Sequence, residues 1–419
     1  LRIIDQYHDQ QIFKRQEEMS WTQSHAELKH MDISRSATKT YQELATSLIY
    51  SCHGLRPSAT TLKANRKSQP GLWSYGISGD LPMLVLNVHD ELGIPLVKQL
   101  IESHEYLSMK DFRFDLVIIN GQESSYRMSL NDDILREVTK AGLHSIINKS
   151  GGIFVLRKDI IEEEDLALLK SAAKVYIDSF RGDLYEQLRR PDYASPLASP
   201  TKHSYEASTK RTQSNSVSLD TEDLYLFNGH GGVSKDKQEY VIIMDPKSKT
   251  PFPPLPWCNV ISNKQGFGTI ISERGSSHTW NLNAQFNRLT PWYNDPLTDP
   301  TGEAIYIRDD ENGSIWSPLP TPMPDKEKYV ARHGYGYARF EHISDGLSQS
   351  SLIFVHPDEA IKITSIKIKN LTSEERSISL MSYYDLVLGG ERSTTAQHIQ
   401  TDRMENHSII YAKNAYNEN

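Results

Sequence analysis

Apolar positions change their period twice along this chain. In the first fifty residues, Leu28, Met31, Tyr41, Leu44, Leu48 and Ile49 recur at helical spacing, which predicts helix, with Trp21-Thr22 and then Asp32 and Ser34 as polar starts. From 82 to 180 two kinds of segment alternate. The short apolar runs MLVLNV (83–88), FDLVIIN (114–120) and GGIFVL (151–156) read as buried strands. Between and after them run three helical patterns: one with Leu96, Leu100, Ile101 and His104 on a single face, one over Asp132 to Ile147, and one lined by Leu166, Leu169, Ala173, Tyr176 and Ile177. This βαβαβα order calls for a small parallel sheet with right-handed crossovers. His104, set among apolar neighbours, reads as a core imidazole and not as a ligand.

A second change follows. Residues 187–222 are rich in Ser, Thr, Pro and Lys and cannot bury enough apolar surface to fold alone, so they read as a flexible linker. Beyond them EYVIIM, FGTIIS, EAIYIRD, SLIFVH, IKITSIKIKN and SISLMSYYDLVL are short β-branched or aromatic runs separated by turn residues, the pattern of an antiparallel β-sandwich. The alternation in Ile361 to Lys369 changes phase between Ile363 and Ile366, which predicts a bulge near Thr364. The expected domains are a helical segment (1–60), a small α/β module (61–186), the linker (187–222) and the sandwich (223–419), an α+β multidomain chain.

Bulk composition narrows the function classes. At 419 residues and 37% apolar content the chain suits several cores with long polar loops. A net charge of -8 gives no global field to attract nucleic acid. Cys52 and Cys258 lie far apart, which fits a reducing, cytoplasmic setting and argues against a disulfide scaffold or a multi-cysteine zinc site. Scattered histidines give a metal cage no support. No apolar run approaches the roughly 20 residues of a membrane helix. A start at Leu1 and a stop just after the strand-like SIIYA suggest a piece of a longer protein.

Trp257 to Asn263 and Asn281 to Arg308 carry the densest mixture of aromatic, amide and arginine side chains. Such loops suit sugars, whose apolar ring faces stack on aromatics while their hydroxyls bond to amides and carboxylates. Tight turns whose tryptophans fill a core would read the same way. GISGD (76–80) fails as a nucleophile elbow because Asp80 stands where glycine is needed. NGHGG (228–232) and HGYGY (333–337) neither follow a strand into a helix nor carry a Walker lysine. Glycoside chemistry needs a protonated carboxylic acid beside the glycosidic oxygen. By position Asp80, Asp295, Asp299 and Glu303 are the candidates.

The segments FNGHGG, EYVI, PWCNVISN, FGTIISERGSSHTWNLNAQFNRLTPWYNDPLTDPTGEAIYIRDDENGSIWSP and ARHGYGYARFEH closely resemble the β-sandwich domain of the cellobiose phosphorylase and cyclic β-1,2-glucan synthase superfamily. Upstream, WTQSHAELKHMDIS, LRPS, NRKSQPGLWSYGISGDLPMLVL, HEYL and FDLVIIN look like the segment preceding that sandwich in the 1,2-β-oligoglucan branch. The resemblance implies a catalytic (α/α)6 barrel, expected downstream and absent from this chain, that carries the aspartic acid and most phosphate ligands. It further implies inverting phosphorolysis of β-1,2-linked gluco-oligosaccharides with inorganic phosphate as co-substrate, no metal or organic cofactor, and a second copy of the chain as a partner. In the smaller relatives a sandwich loop leans over the acceptor side of the partner subunit's barrel, and the nearest match here, LGGERSTTAQHIQ (388–400), makes Arg392 and Gln397 the expected acceptor-side contacts. Trp73 and Asp80 could reach the sugar or brace its site. Trp257, Asn259, Arg288, Trp292, Asn294, Glu303, Arg332 and His333 are expected to hold loops and the sandwich–barrel interface. The alternatives are the C-terminal part of a membrane-associated cyclic β-1,2-glucan synthase and a stand-alone carbohydrate-binding scaffold.

Overall fold

The computed structural model describes residues 1–31, 33–50, 52–122, 129–189, 224–292, 301–404 and 408–417. The chain divides into two compact units, Leu1–Ala198 and Ser199–Asn417.

The first unit opens with α1 (Arg2–Tyr7), α2 (Gln10–His30) and α3 (Arg35–Ile49). Trp21 and Thr22 do not start a helix as expected but lie inside α2, because nothing around them breaks the helical run from Gln10. Ser34 caps α3 by accepting from the Ala37 amide at 3.2 Å, and Tyr41, Leu44 and Leu48 line its buried face. After the short α4 (Ala59–Ala64) come four parallel strands, β1 (Met83–Val88), β2 (Asp115–Asn120), β3 (Ile153–Arg157) and β4 (Val175–Asp178). Their spatial order is β3-β2-β1-β4. β1 and β2 are buried along their whole length, which is why they read as unbroken apolar runs and not as alternations. Leu84, Leu86, Val88, Leu116 and Ile118 share one core with α3, α5 (Ile94–Met109) and α6 (Ser129–Lys140). His104 is fully buried there and donates from Nε2 to the Phe114 carbonyl at 3.2 Å. Burial pushes its pKa down.

Two helix assignments are corrected. The helix expected from Asp132 to Ile147 starts at Ser129 and ends at Lys140, followed by Gly142 in a left-handed conformation that only glycine adopts cheaply. α7 (Glu163–Ala172) stops before Tyr176 and Ile177, which belong to β4. Four residues directly behind a helix gave that strand no separate periodic signal. α8 (Leu184–Leu188) follows it, so the polar stretch begins after Leu188, and residues 190–223 lie outside the described part.

The second unit is a β-sandwich. One layer is a six-stranded antiparallel sheet of β5 (Gly231–Val233), β6 (Glu239–Met244), β12 (Tyr329–Gly334), β13 (Tyr337–Ser344), β14 (Leu347–Val355) and β15 (Lys362–Asn370). Their spatial order is β15-β14-β13-β12-β6-β5. Two three-stranded sheets face it. The first is β7 (Cys258–Ser262), β8 (Gly268–Ser272) and β9 (Ser277–Trp280); the second joins β10 (Glu303–Asp309) to β11 (Ile315–Trp316) and β16 (Ile378–Tyr384). β13 and β14 alternate strictly between buried and half-buried positions, as strands with one core face must. Ile242, Met244, Ile261, Ile271, Tyr329, Phe340 and Ile353 meet in the main core. β17 (Ile399–Met404) and β18 (Ile409–Asn414) form a separate ribbon.

The bulge expected near Thr364 is not there. β14 and β15 pair in continuous register from Leu347↔Asn370 to Val355↔Lys362. Most positions of β15 are half-buried on both faces, so a phase change in its sequence costs little and forces no extra residue. No helix among the described residues is long and apolar enough to cross a membrane.

Candidate functional site

The aromatic and amide stretch is fixed largely by its own hydrogen bonds. Residues 258–262 are strand β7 and not a loop. Asn259 donates from Nδ2 to the carbonyls of Gly334 (3.2 Å) and Tyr337 (2.9 Å). Asn263 donates to those of His356 and Glu359 at 2.9 and 2.8 Å. Trp257 packs against the core, its amide bonded to the Glu273 carboxylate at 2.7 Å and its carbonyl accepting from His333 Nε2 at 3.1 Å. Burial drives the His333 pKa down to about 4. Arg332 bridges Glu239 (3.1 Å) and Glu341 (2.8 Å) across three neighbouring strands. His278 stacks on Trp292 with ring centres 5.7 Å apart and is tilted against Trp280 at 5.6 Å. Asn294, Asp295 and Asp299 lie outside the described residues.

Glu303 sits in a buried polar knot. Its Oε2 lies 2.7 Å from Lys362 Nζ, and its Oε1 accepts from Thr290 Oγ1 at 2.8 Å and from Thr279 Oγ1. Lys362 also donates to Thr269 and Ser277 at 3.1 and 3.0 Å. Burial opposes ionisation of this carboxyl, yet the Lys362 charge and the hydroxyl donors outweigh it and hold the pKa below the usual carboxylate range. Asp309 is likewise buried, bonded to Arg376 and kept low against its desolvation. Asp325 is kept low by His342, 2.9 Å away, again against desolvation. A general acid needs the opposite bias. Sequence reasoning found Glu303 but missed Lys362, which lies 59 positions away at the start of a phase-ambiguous strand.

The loop after β16 is the most elaborately held. Gly389 exchanges two backbone hydrogen bonds with Arg288, at 2.9 and 3.0 Å. The Leu388 carbonyl accepts from both Asn414 and Asn417 at 3.0 Å. On this footing α9 (Arg392–Thr395) presents Arg392, whose Nε donates to Asp385 at 2.7 Å and whose side chain is half exposed. Gln397 contacts His398, which stacks on Tyr416 at 4.0 Å. In the first unit, Trp73 stands exposed and donates from Nε1 to the Ser78 carbonyl at 3.3 Å. Asp80, in the same turn, accepts from Gln69 at 3.1 Å. The two therefore share one turn of the first unit.

Residues 238–419 match the family model described as glycosyl hydrolase 94, supersandwich domain. This part of the chain is a glycosyl hydrolase 94 supersandwich. The whole chain is similar to the cyclic beta-(1,2)-glucan synthase NdvB of Rhizobium meliloti (strain 1021), with 31% identity over 427 residues, covering 99% of this chain and 15% of that protein. The chain is also similar to the N,N'-diacetylchitobiose phosphorylase of Vibrio proteolyticus, 28% identical over 186 residues, 44% of this chain and 21% of that enzyme. The solabiose phosphorylase of Paenibacillus borealis is 29% identical over 113 residues, 26% of this chain and 15% of that enzyme. The chain thus spans only a small part of each relative's length.

Proposed function

We propose that this chain is the non-catalytic α/β and supersandwich portion of an inverting glycoside phosphorylase that acts on β-1,2-gluco-oligosaccharides. The observation that carries this reading is the state of the supersandwich carboxylates. Asp236, Glu303, Asp309, Asp310 and Asp325 are held low. None is poised to donate a proton to a leaving sugar. In this reading the acid is supplied by another domain. In the proposed reaction phosphate oxygen bonds to the anomeric carbon, the glycosidic C–O bond breaks, and an aspartic acid of an (α/α)6 barrel protonates the departing sugar oxygen. The products are α-glucose 1-phosphate and a shortened chain.

Exposed apolar surface supports a docking role. β16 leaves Leu380, Met381, Tyr383 and Tyr384 in solvent, and the β17–β18 ribbon leaves Met404, Ile409, Ile410 and Tyr411. An isolated two-stranded ribbon is marginal in water, so this edge suits cover by a further folded body. In this reading Arg392 and Gln397 reach the acceptor end of the glucan, phosphate is the co-substrate, no metal or organic cofactor takes part, and the protein is cytoplasmic. The β-1,2 linkage is supported by the match to the glucan synthase, which includes the α/β unit.

That same match favours one second reading, a segment of a membrane-associated cyclic β-1,2-glucan synthase. The two differ in the complete polypeptide, where apolar segments of about 20 residues favour the synthase. The direct test incubates the complete gene product with glucose 1-phosphate and sophorose or longer β-1,2 acceptors. Phosphate release supports the reading. Phosphate release with N,N'-diacetylchitobiose-type acceptors alone contradicts the linkage.

A further inference from the structure

The α/β unit contains a crevice that the phosphorylase reading does not use. Its sheet order, β3-β2-β1-β4, means that the chain adds strands to one side of β1 and then returns to the other side. In open parallel sheets the crevice outside the carboxyl ends of such a strand pair is where ligands settle, because the loops leaving the two strands diverge to opposite sides. Here a cavity of about 500 Å³ lies between the segments that follow β1 and β4, lined among others by Tyr41, Lys98, Gln99, Glu102, Ser179 and Asp183. That volume falls within the range of small-molecule sites.

Its chemistry is that of a polyhydroxyl receptor. Lys98 and Glu102 stand 3.8 Å apart and Tyr41 donates to the other Glu102 oxygen at 3.1 Å. Gln99 uses its Oε1 to accept from the Leu184 amide at 3.4 Å, which leaves its amide nitrogen without a partner among the described residues. The named lining has one cation against two carboxylates, so it offers no net positive field to hold a phosphate or nucleotide. Leu92 and Pro95 add an apolar wall. Ser179 ties the crevice to the strand ends by accepting from the His89 amide at 3.2 Å. Next to it Phe180, 69% exposed, stacks on His89 with centres 4.0 Å apart and planes 6° from parallel. Asp178 holds that imidazole through Nε2 at 3.1 Å, so the stacked pair forms a flat aromatic surface directly after Ser179 in the chain.

We propose that the crevice between the carboxyl ends of β1 and β4 is a second carbohydrate site, which takes a short neutral oligosaccharide between the Lys98–Gln99–Glu102 edge and the Phe180 face. The inference is independent of the role assigned to the supersandwich.

The test is calorimetric titration of the 419-residue chain with sophorose, laminaribiose, glucose 1-phosphate and inorganic phosphate. At least one neutral disaccharide is expected to bind saturably, with affinity reduced tenfold or more in Lys98→Ala/Gln99→Ala and fivefold or more in Phe180→Ala. Lys264→Ala, an exposed change in the other unit, leaves it unchanged. The thermal midpoints of these surface variants stay within a few degrees of the parent, and Gln99→Glu serves as a second variant that keeps the side-chain volume. Absence of saturable disaccharide binding overturns the proposal. So does binding of phosphate in preference to neutral sugar, or binding indifferent to the Lys98, Gln99 and Phe180 changes.

Discussion

Lys362 reaches across the supersandwich to Glu303, joining the strand that ends the large sheet to one in the opposite layer, with 2.7 Å between Nζ and Oε2. Both side chains are about nine-tenths buried. Removing one partner of such a pair strands the other charge in a dry interior, which costs about 3–5 kcal/mol. Lys362→Met should therefore destabilise the chain by about that amount in urea unfolding. Glu303→Leu combined with Lys362→Met should recover most of the loss, because the stranded carboxylate is gone. Strict additivity of the two substitutions would show that the pair is not coupled.

Two buried titrating groups give stability opposite pH dependences. His333 is neutral in the fold, with its pKa lowered to about 4 against 6.5 for the free side chain. The unfolded chain takes up a proton first, so this group removes stability as pH falls from about 6.5 toward 4, by about 3 kcal/mol in full. In the α/β unit, burial raises the Asp115 carboxyl to about 6, beyond what the Gly151 amide at 2.7 Å can offset. The sign is reversed: its favourable contribution is complete below about pH 4 and is lost as pH rises through 6. His333→Gln should flatten the fall in the supersandwich melting temperature between pH 6.5 and 5. Asp115→Asn should make the α/β unit less sensitive between pH 5 and 7. Unchanged pH profiles in both variants would contradict these assignments.

Gly389 tests how the loop after β16 is held. A Cβ placed there would lie 2.7 Å from Thr395 Cγ2, so the turn can close on α9 only with glycine. Gly389→Ala should cost about 1–3 kcal/mol through overpacking. Gly389→Ala/Thr395→Ser, which deletes the opposing methyl, should regain most of it. A neutral Gly389→Ala change would show that the loop gives way freely.

Arg392 is half exposed and its ion pair with Asp385 lies at the surface, so Arg392→Ala should shift stability by less than about 1 kcal/mol. In the complete protein it should raise the KM for acceptor glucan severalfold while kcat moves less, the mark of lost ground-state binding. Unaltered kinetics would remove Arg392 from the acceptor side.

Much of the architecture was legible in the sequence wherever one periodicity ran unopposed. The apolar runs of β1 and β2, the buried face of α5 and the core position of His104 follow directly from spacing. The failures have a common physical root. Val175–Asp178 continues the apolar register of the helix before it, so β4, and with it the crevice beside β1, left no local signal. Cys258–Ser262 pairs with β8 although its side chains are largely exposed, so its strand identity resides in backbone hydrogen bonds that composition does not report. The Glu303–Lys362 knot joins residues 59 positions apart, a contact that no window along the chain can contain.

The central claim is that the proton donor lies outside these two units. The most direct measurement is glucose 1-phosphate formation from a β-1,2-gluco-oligosaccharide and inorganic phosphate, run in parallel with the 419-residue chain and with the complete gene product. The account predicts product from the complete protein and none above background from the shorter chain. Turnover by the 419-residue chain, abolished in a variant of one of its own carboxylates such as Glu303→Gln, would contradict it.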